Sequence, residues 1–375
     1  MSRVLSIFGT RPEAIKMTPV VKALEKRQAE SIVCVTSQHR EMLASVLDVF
    51  SLKPDYDLDV MRPNQSLNGL LSRLLAGLDD VLATCRPDIV LVQGDTATCL
   101  AGALAAFQRG IDVGHIEAGL RTDDLARPFP EEGNRQMVSR IATWHFAPTE
   151  QAARRLKQEA LPRPNIHVTG NTVIDALHMA RDILAERPDR AYIAGLPPDY
   201  KPECRQYILV TGHRRESFGE GFLQICHALR HIAESHPELD IIYPVHLNPH
   251  VQQPVHAILD GLPNVYLLPP QDYLAFTRLL CHCRFVLTDS GGIQEEAPAL
   301  GKPVLVMRDT TERPEGVAAG CSMLVGTRKE SIVDGAKRLL QDSAFFQTMS
   351  HAVNPYGDGK AAHAICDIIS WRDYE

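Results

Sequence analysis

Residues 284–297 read RFVLTDSGGIQEEA: a short apolar run, a polar turn with two glycines, then helix-forming side chains. An apolar run as brief as 285–290 suits a strand covered on both faces of a sheet, and Ser290 is placed to cap a helix starting near Ile293. A strand that passes directly into a helix is the repeating unit of an α/β fold. The same reading extends outward from this stretch. Short apolar, β-branched runs precede it at 3–9, 31–37, 88–95, 113–118, 145–149, 166–170, 207–213, 241–246 and 265–269, and follow it at 303–309 and 323–327. Helix-like stretches lie between them, among them 13–27, 67–85 and 221–236. This alternation predicts a doubly wound α/β fold with parallel strands.

The chain has 375 residues, which is too many for one small core and predicts two domains. The runs divide into two similar series. We expect a first domain over 1–170, a linker region over 171–205 that holds a helix and then a Pro- and Gly-rich loop, a second domain over 206–355, and a helix over 356–375. A net charge of -7 argues against a general nucleic-acid binder, which needs a basic face. The N-terminus runs straight into a strand without a signal peptide, and no apolar run reaches the length of a membrane span. The nine cysteines are an odd number, scattered mostly through apolar segments such as Cys34 and Cys226, which suits reduced thiols in a cytoplasmic protein. Cys281, His282 and Cys283 form one cluster, but no second pair lies at zinc-site spacing, so no metal is expected.

Ligands of parallel sheets bind beyond the carboxyl ends of the strands. Those ends are unusually polar here: GTRPE, SQHRE, QGDT, IEAGLRT, TGHRRES, PVHLNP and TDSGGIQEE. If the two sheets face one another, such loops line a single interdomain cleft. At Ser290, Gly291 and Gly292, free N–H groups and the helix dipole suit a phosphate, with Glu296 one turn on and able to accept from ribose hydroxyls. The alternative is a capped helix with a tight turn and no ligand. Arg11 and Lys16 are long enough to reach phosphates from the first strand end, or they are a solvated pair at a helix start. Neither GTRPEAIK nor Gly219-Glu220-Gly221 is the G-x-G-x-x-G fingerprint of dinucleotide binding. Asp95, Glu117 and Glu131 fall in or beside strand-end loops. One such acid is readily a helix cap or half of an ion pair; three together suit acid–base work, if their environments separate their pKa values. His213 closes its strand and is either a stabiliser of a departing phosphate or a plain loop histidine.

The motifs FGTRPEAIKM, VTSQHREML, GDTATCLAGALAAF, VGHIEAGLRT, FPEEGNRQ, TGNTVIDAL, VTGHRRESFG, YPVHLNP, LTDSGGIQEEAP, GKPVLVMRDTTERPE and NPYGDG, in this order from residue 3 to about 360, resemble those of the non-hydrolysing UDP-N-acetylglucosamine (UDP-GlcNAc) 2-epimerases. The resemblance implies a glycosyltransferase-B-like fold: two Rossmann-like domains facing a central cleft, with the C-terminal helix crossing back to the first. It implies that Asp95, Glu117, Glu131 and His213 are catalytic, and that Arg11, Lys16, Gln271, Phe276, Ser290, Gly291, Gly292, Glu296 and Arg313 bind the nucleotide sugar, Gln271 and Phe276 around the uracil. It implies a regulatory second UDP-GlcNAc site at Gln38, His39, Arg40, Arg214 and His246, with Glu41 where some relatives have Gln. It further implies UDP-GlcNAc, UDP-ManNAc and UDP as ligands, no cofactor, a homodimer, and a place in making polysaccharide precursors. Gln93 stands where these enzymes commonly have His, Ala126 and Arg127 where Ser or Tyr-Ser is common, and Gly133 where a larger residue is usual. The competing expectations are a hydrolysing 2-epimerase that releases N-acetylmannosamine and UDP, a retaining glycosyltransferase of the same architecture, and a nucleotide-sugar sensor.

Overall fold

Every apolar run singled out above forms a strand in the computed structural model, which describes residues 2–27, 29–37, 40–62 and 64–370. In the first half the strands are β1 (Arg3–Phe8), β2 (Glu30–Val35), β3 (Tyr56–Asp57), β4 (Ile89–Gln93), β5 (Asp112–Ile116), β6 (Trp144–Ala147) and β7 (Ile166–Val168). In the second half they are β8 (Tyr207–Thr211), β9 (Asp240–Pro244), β10 (Val265–Leu268), β11 (Phe285–Thr288), β12 (Val304–Val306) and β13 (Ser322–Leu324). β3 lies outside the apolar runs. It is a two-residue edge strand, polar and partly exposed, and too short to make a hydrophobic run.

The first sheet has the order β3-β2-β1-β4-β5-β6-β7 and the second the order β10-β9-β8-β11-β12-β13. The pairings are parallel, as between β1 and β4 or β8 and β11. Each order reverses direction once, between β1 and β4 in one sheet and between β8 and β11 in the other, which is the Rossmann arrangement repeated. The expected α/β class, with two doubly wound units, is the class the structure has.

The chain divides into two compact units, one of Met1–Met179 with Tyr356–Glu375 and one of Ala180–Pro355. The division falls inside the helix Thr172–Glu186, so 171–179 belong with the first unit and 180–205 with the second. The helix Ala361–Ser370 closes the described part of the chain and packs on the helix Arg11–Lys26, where Arg27 pairs with Asp367 at 2.6 Å. Both cores are built as the runs predict. Leu5, Ile7, Val90 and Val92 are fully buried in the first sheet, and Ile208, Val210, Phe285 and Leu287 in the second. Burying one such side chain contributes about 1.5–3 kcal/mol. Cys34 and Cys226 are buried among them, and loss of solvent pushes each thiol up to about 12, so both stay protonated. Among the described residues no helix is long and apolar enough to cross a membrane.

Candidate active site

A switch point opens a crevice because the two strands flanking it send their following helices to opposite faces. In the first unit the loops there are Gly9–Thr10, after β1, and Gly94–Thr96, after β4. Glu13 ties them together. It is the fourth residue of a capping box on the helix Arg11–Lys26, and its Oε2 accepts from the N–H groups of Thr10 (2.8 Å) and Gly9 (3.1 Å). Its Oε1 accepts from Thr96 Oγ1 at 2.6 Å, and Thr96 in turn caps the helix Ala97–Gln108. Burial pushes the Glu13 carboxyl above its usual range, against the pull of those hydrogen bonds.

Asp95 follows Gly94, whose φ of 70° gives the turn its shape. One Asp95 oxygen accepts from Arg135 Nη2 at 2.6 Å, and its backbone carbonyl accepts from Asn134 Nδ2 at 2.8 Å. Burial raises the Asp95 pKa; Arg135 and Lys16 oppose the rise, while Glu117 and Glu131 add to it. The three carboxylates singled out in the sequence are therefore within electrostatic reach of one another. Glu117 follows β5 at φ 63°, a left-handed conformation that costs a non-glycine residue about 1–3 kcal/mol. Its Oε2 pairs with the Lys16 ammonium and accepts from Asn171 Nδ2 at 3.1 Å. Lys16 thus lies on a carboxylate. The side chain of Arg11, at the first position of its helix, makes no hydrogen bond or ion pair among the described residues.

Glu131 and Glu132 open the helix Glu131–Ile141, with different surroundings. Glu131 is half-buried, and its side chain makes no hydrogen bond or ion pair among the described residues. Glu132 is fully buried and accepts from Gln136 Nε2 (2.8 Å), Thr122 N (3.1 Å) and Asp123 N (3.3 Å). Burial pushes its carboxyl up, but these donors and Arg135 outweigh burial and hold it below the usual range. Glu132 braces the loop, and Glu131 is the one presented. Close by, His115 is fully buried and burial lowers it to about 3; the neutral ring donates through Nε2 to the Gly94 carbonyl at 2.7 Å.

In the second unit the switch-point loops follow β8 and β11. Ser290 is the N-cap of the helix Gly291–Ala299, as expected, but its side chain makes no capping hydrogen bond. Its N–H instead donates to Thr288 Oγ1 at 2.9 Å. The first turn of the helix is thus left without a side-chain acceptor, the condition in which its N–H groups and dipole attract an anion. A Cβ added to Gly292 would meet nothing within 4 Å, and one on Gly291 would lie 3.7 Å from Arg214 Nη2. Asp289 is fully buried and accepts through Oδ2 from the N–H groups of His213 and Arg214, both at 2.7 Å, which fixes the β8 loop beside the β11 loop. The His213 ring stacks on His246 at a centroid distance of 5.0 Å. Burial lowers the His213 pKa, Asp289 works against this, and His246 and Arg214 reinforce it.

Other expected contacts are partly committed within the protein. Arg313 pairs with buried Glu295. The Gln271 amide exchanges two 3.0 Å hydrogen bonds with the backbone of Ala194 and also donates to the Pro269 carbonyl at 2.6 Å, so it clamps a loop. Phe276 is half-buried on the helix Tyr273–His282, and Glu296 is buried in the helix Gly291–Ala299. Gln38 and His39 lie outside the described residues, as do the side chains of Arg40 and Glu41. Arg214 and His246 stand together with His213 in the β8 and β9 loops. Cys283 is buried, its Sγ near the Leu280 carbonyl, and among the described residues no three His, Cys, Asp or Glu side chains are grouped as metal ligands.

The sequence reading passed over Glu13, Arg135, Asn171 and Asp289. A local signal existed for Glu13, since Thr10-Arg11-Pro12-Glu13 has capping-box spacing. The other three act on partners that local patterning does not reveal.

These features define a class: an α/β protein of two Rossmann-like units whose charged residues collect at the switch point of each sheet. The sequence profile of the family described as UDP-N-acetylglucosamine 2-epimerase matches residues 22–370. The chain is 56% identical over 368 residues to a UDP-N-acetylglucosamine 2-epimerase of Yersinia pestis, covering 98% of each. It is 55% identical over 369 residues to that of Escherichia coli (strain K12), again covering 98% of each. Among solved structures, UDP-GlcNAc 2-epimerase from Neisseria meningitidis bound to UDP-GlcNAc superposes with a TM-score of 0.88 at 47% identity, over 98% of this chain and 99% of that one. The Methanocaldococcus jannaschii enzyme in complex with UDP-GlcNAc and UDP gives 0.77 at 33% identity, over 98% and 99%. The chain belongs to the UDP-N-acetylglucosamine 2-epimerase family, as the motifs had implied.

Proposed function

We propose that this enzyme interconverts UDP-GlcNAc and UDP-ManNAc by eliminating UDP and adding it back, and that it keeps UDP bound between the two steps. The observation that carries the reading is the group formed by Asp95, Glu117 and Glu131 with Lys16 and Arg135. The C2 hydrogen has no carbonyl beside it, so direct removal to a carbanion is prohibitive. Departure of UDP makes C1 oxocarbenium-like and acidifies that hydrogen. A base takes the C2 proton, its electron pair becomes the C1=C2 bond of 2-acetamidoglucal, and the C1–O bond breaks with its pair leaving on the β-phosphate. Return requires a proton on the opposite face of C2 and attack of the phosphate oxygen on C1. Carboxylates in unlike surroundings suit the two proton transfers: Asp95 is held above the usual range, so it can carry a proton nearer neutrality, while Glu117 is paired with an ammonium. The uncapped first turn at Gly291 and Gly292, with Arg214 beside it, suits the diphosphate, and His213 the developing charge.

The same reading takes in Arg11, Phe276, Glu296 and Arg313 as nucleotide-sugar contacts and Gln271 as the clamp of a loop beside the base. It places the enzyme in the cytoplasm as a homodimer that serves polysaccharide-precursor synthesis without a cofactor. A regulatory UDP-GlcNAc site at Gln38, His39, Arg40, Arg214 and His246 rests on the resemblance of those loops to bacterial relatives. The test is incubation of the pure protein in heavy water with UDP-GlcNAc alone, then with UDP-ManNAc and a trace of UDP-GlcNAc. Both are expected to give a mixture of the two nucleotide sugars deuterated at C2 by NMR. Complete conversion to free sugar and UDP would establish the hydrolysing alternative, and an absolute need for added NAD would end the elimination mechanism.

A further inference from the structure

Two donors on Glu117 differ in kind. Lys16 brings an ammonium on a flexible stem, which can follow a carboxylate through several rotamers. Asn171, 54 residues away in sequence and 3% exposed, brings an amide at 3.1 Å to the same oxygen, Oε2. That amide is anchored. Asn171 Oδ1 accepts from Val173 N at 3.1 Å, its N–H donates to the Tyr356 carbonyl at 2.7 Å, and its own carbonyl accepts from Ile174 N at 3.1 Å. The Val173 bond decides which way round the amide sits. Flipped, it would set an oxygen against the Glu117 carboxylate and an NH₂ against a backbone N–H, two clashes of like with like. Further along the same helix, Asp175 accepts from Ala362 N (2.9 Å) and Ala361 N (3.3 Å), so the C-terminal helix is fastened to the element that Asn171 opens.

We propose that Asn171 is a positioning residue for the reaction: its anchored amide sets the orientation of the Glu117 carboxylate for proton transfer, while Lys16 supplies the charge. The proposal rests on the assignment of Glu117 to proton transfer made above. It explains why this position carries Asn, since a side chain whose only task was to start a helix would not have to be Asn. Asp starts helices equally well and would accept from Val173 N, but it would set carboxylate against carboxylate at Glu117.

The experiment uses Asn171→Asp, Asn171→Ser and Glu117→Gln in the full chain. Serine keeps an acceptor for the helix start and is too short to reach Glu117. Both Asn171 variants are expected to lose about ten- to a hundredfold in kcat, the range for one hydrogen bond to a charged group. UDP affinity is expected to stay near wild type in both, and the thermal midpoint in Asn171→Ser, whereas Asn171→Asp lowers the midpoint through its like-charge contact. Asn171→Asp is also expected to move the limb of the kcat pH profile that reports Glu117 to higher pH, because a neighbouring negative charge favours the protonated carboxyl. If Asn171→Asp does not fold, Asn171→Ser decides through its kcat at unchanged UDP affinity. Wild-type kcat and profile in the Asn171 variants, beside an inactive Glu117→Gln, would overturn the proposal. So would a loss of kcat that only tracks a loss of thermal midpoint and UDP affinity. Full turnover in Glu117→Gln would instead overturn the assignment of Glu117 itself.

Discussion

Asp289→Asn is the most informative single change in the second unit. The Asp289 carboxylate is fully buried, and one oxygen carries two backbone N–H donors, His213 and Arg214, at 2.7 Å each. Asparagine keeps the shape and one acceptor oxygen but loses the charge. A hydrogen bond to a charged acceptor contributes about 1.5–3 kcal/mol, against about 0.5–1.5 kcal/mol for a neutral one. Two such bonds together therefore lose about 2 kcal/mol. The new NH₂ cannot face the two N–H groups, so it takes the place of Oδ1, which lies 3.7 Å from His213 Nδ1 and has no hydrogen-bond partner among the described residues. The replacement thus gains nothing there to offset the loss. A loss of about 2 kcal/mol shifts the balance between the seated and displaced β8 loop about thirtyfold. Urea unfolding is expected to show that loss in stability, and calorimetry with UDP a weaker affinity, because the displaced loop carries Arg214 and His213 away from Gly291. Unfolding and UDP affinity both equal to wild type would refute the role given to Asp289.

Three further predictions address the other parts of the site. Gly292→Asp is expected to fold, since a Cβ there meets nothing within 4 Å, yet to lose most UDP affinity by calorimetry, because it adds a negative charge at the loop proposed to hold the diphosphate; unchanged affinity would place the phosphates elsewhere. Arg135→Gln removes the strongest pull that lowers the Asp95 pKa, so the pH–rate limb reporting Asp95 is expected to move to higher pH, and a limb that stays in place would separate Asp95 from the rate. Burial pushes Asp175 up to about 6 against hydrogen bonds from Ala362 and Ala361, so the folded chain holds this proton more tightly than the unfolded chain. Its contribution is full below the unfolded value and is lost as pH rises through about 6, up to about 3 kcal/mol. The stability advantage of wild type over Asp175→Asn is therefore expected to shrink between pH 4 and pH 7, and a pH-independent difference in urea midpoints would refute it.

Strand and helix positions were legible because periodicity and burial on both faces are local properties. Twelve runs read as strands are strands, and the helix read at 67–85 is Leu67–Cys85. The polar strand ends were legible for the same reason, since an acid next to a run such as IVLVQ has no packing explanation. Ser290 has the N-cap position, its N–H donates to Thr288, and its side chain makes no capping hydrogen bond.

The partners of these residues were a different matter. Local pattern leaves Lys16 either a phosphate contact or a solvated residue, and only the fold pairs it with Glu117, 101 residues away; Arg135 reaches Asp95 across 40 residues, and Asn171 reaches Glu117 across 54. Glu131 and Glu132 are chemically alike and adjacent, yet one is presented and the other is enclosed by backbone donors from Thr122 and Asp123. Amino-acid order specifies which side chains stand at which strand ends. Strand order in the sheet then decides which ends become neighbours, and with that which carboxylates are neutralised, raised or held still. Those outcomes depend on distances of about 3 Å between segments that have no fixed separation until the sheet has formed.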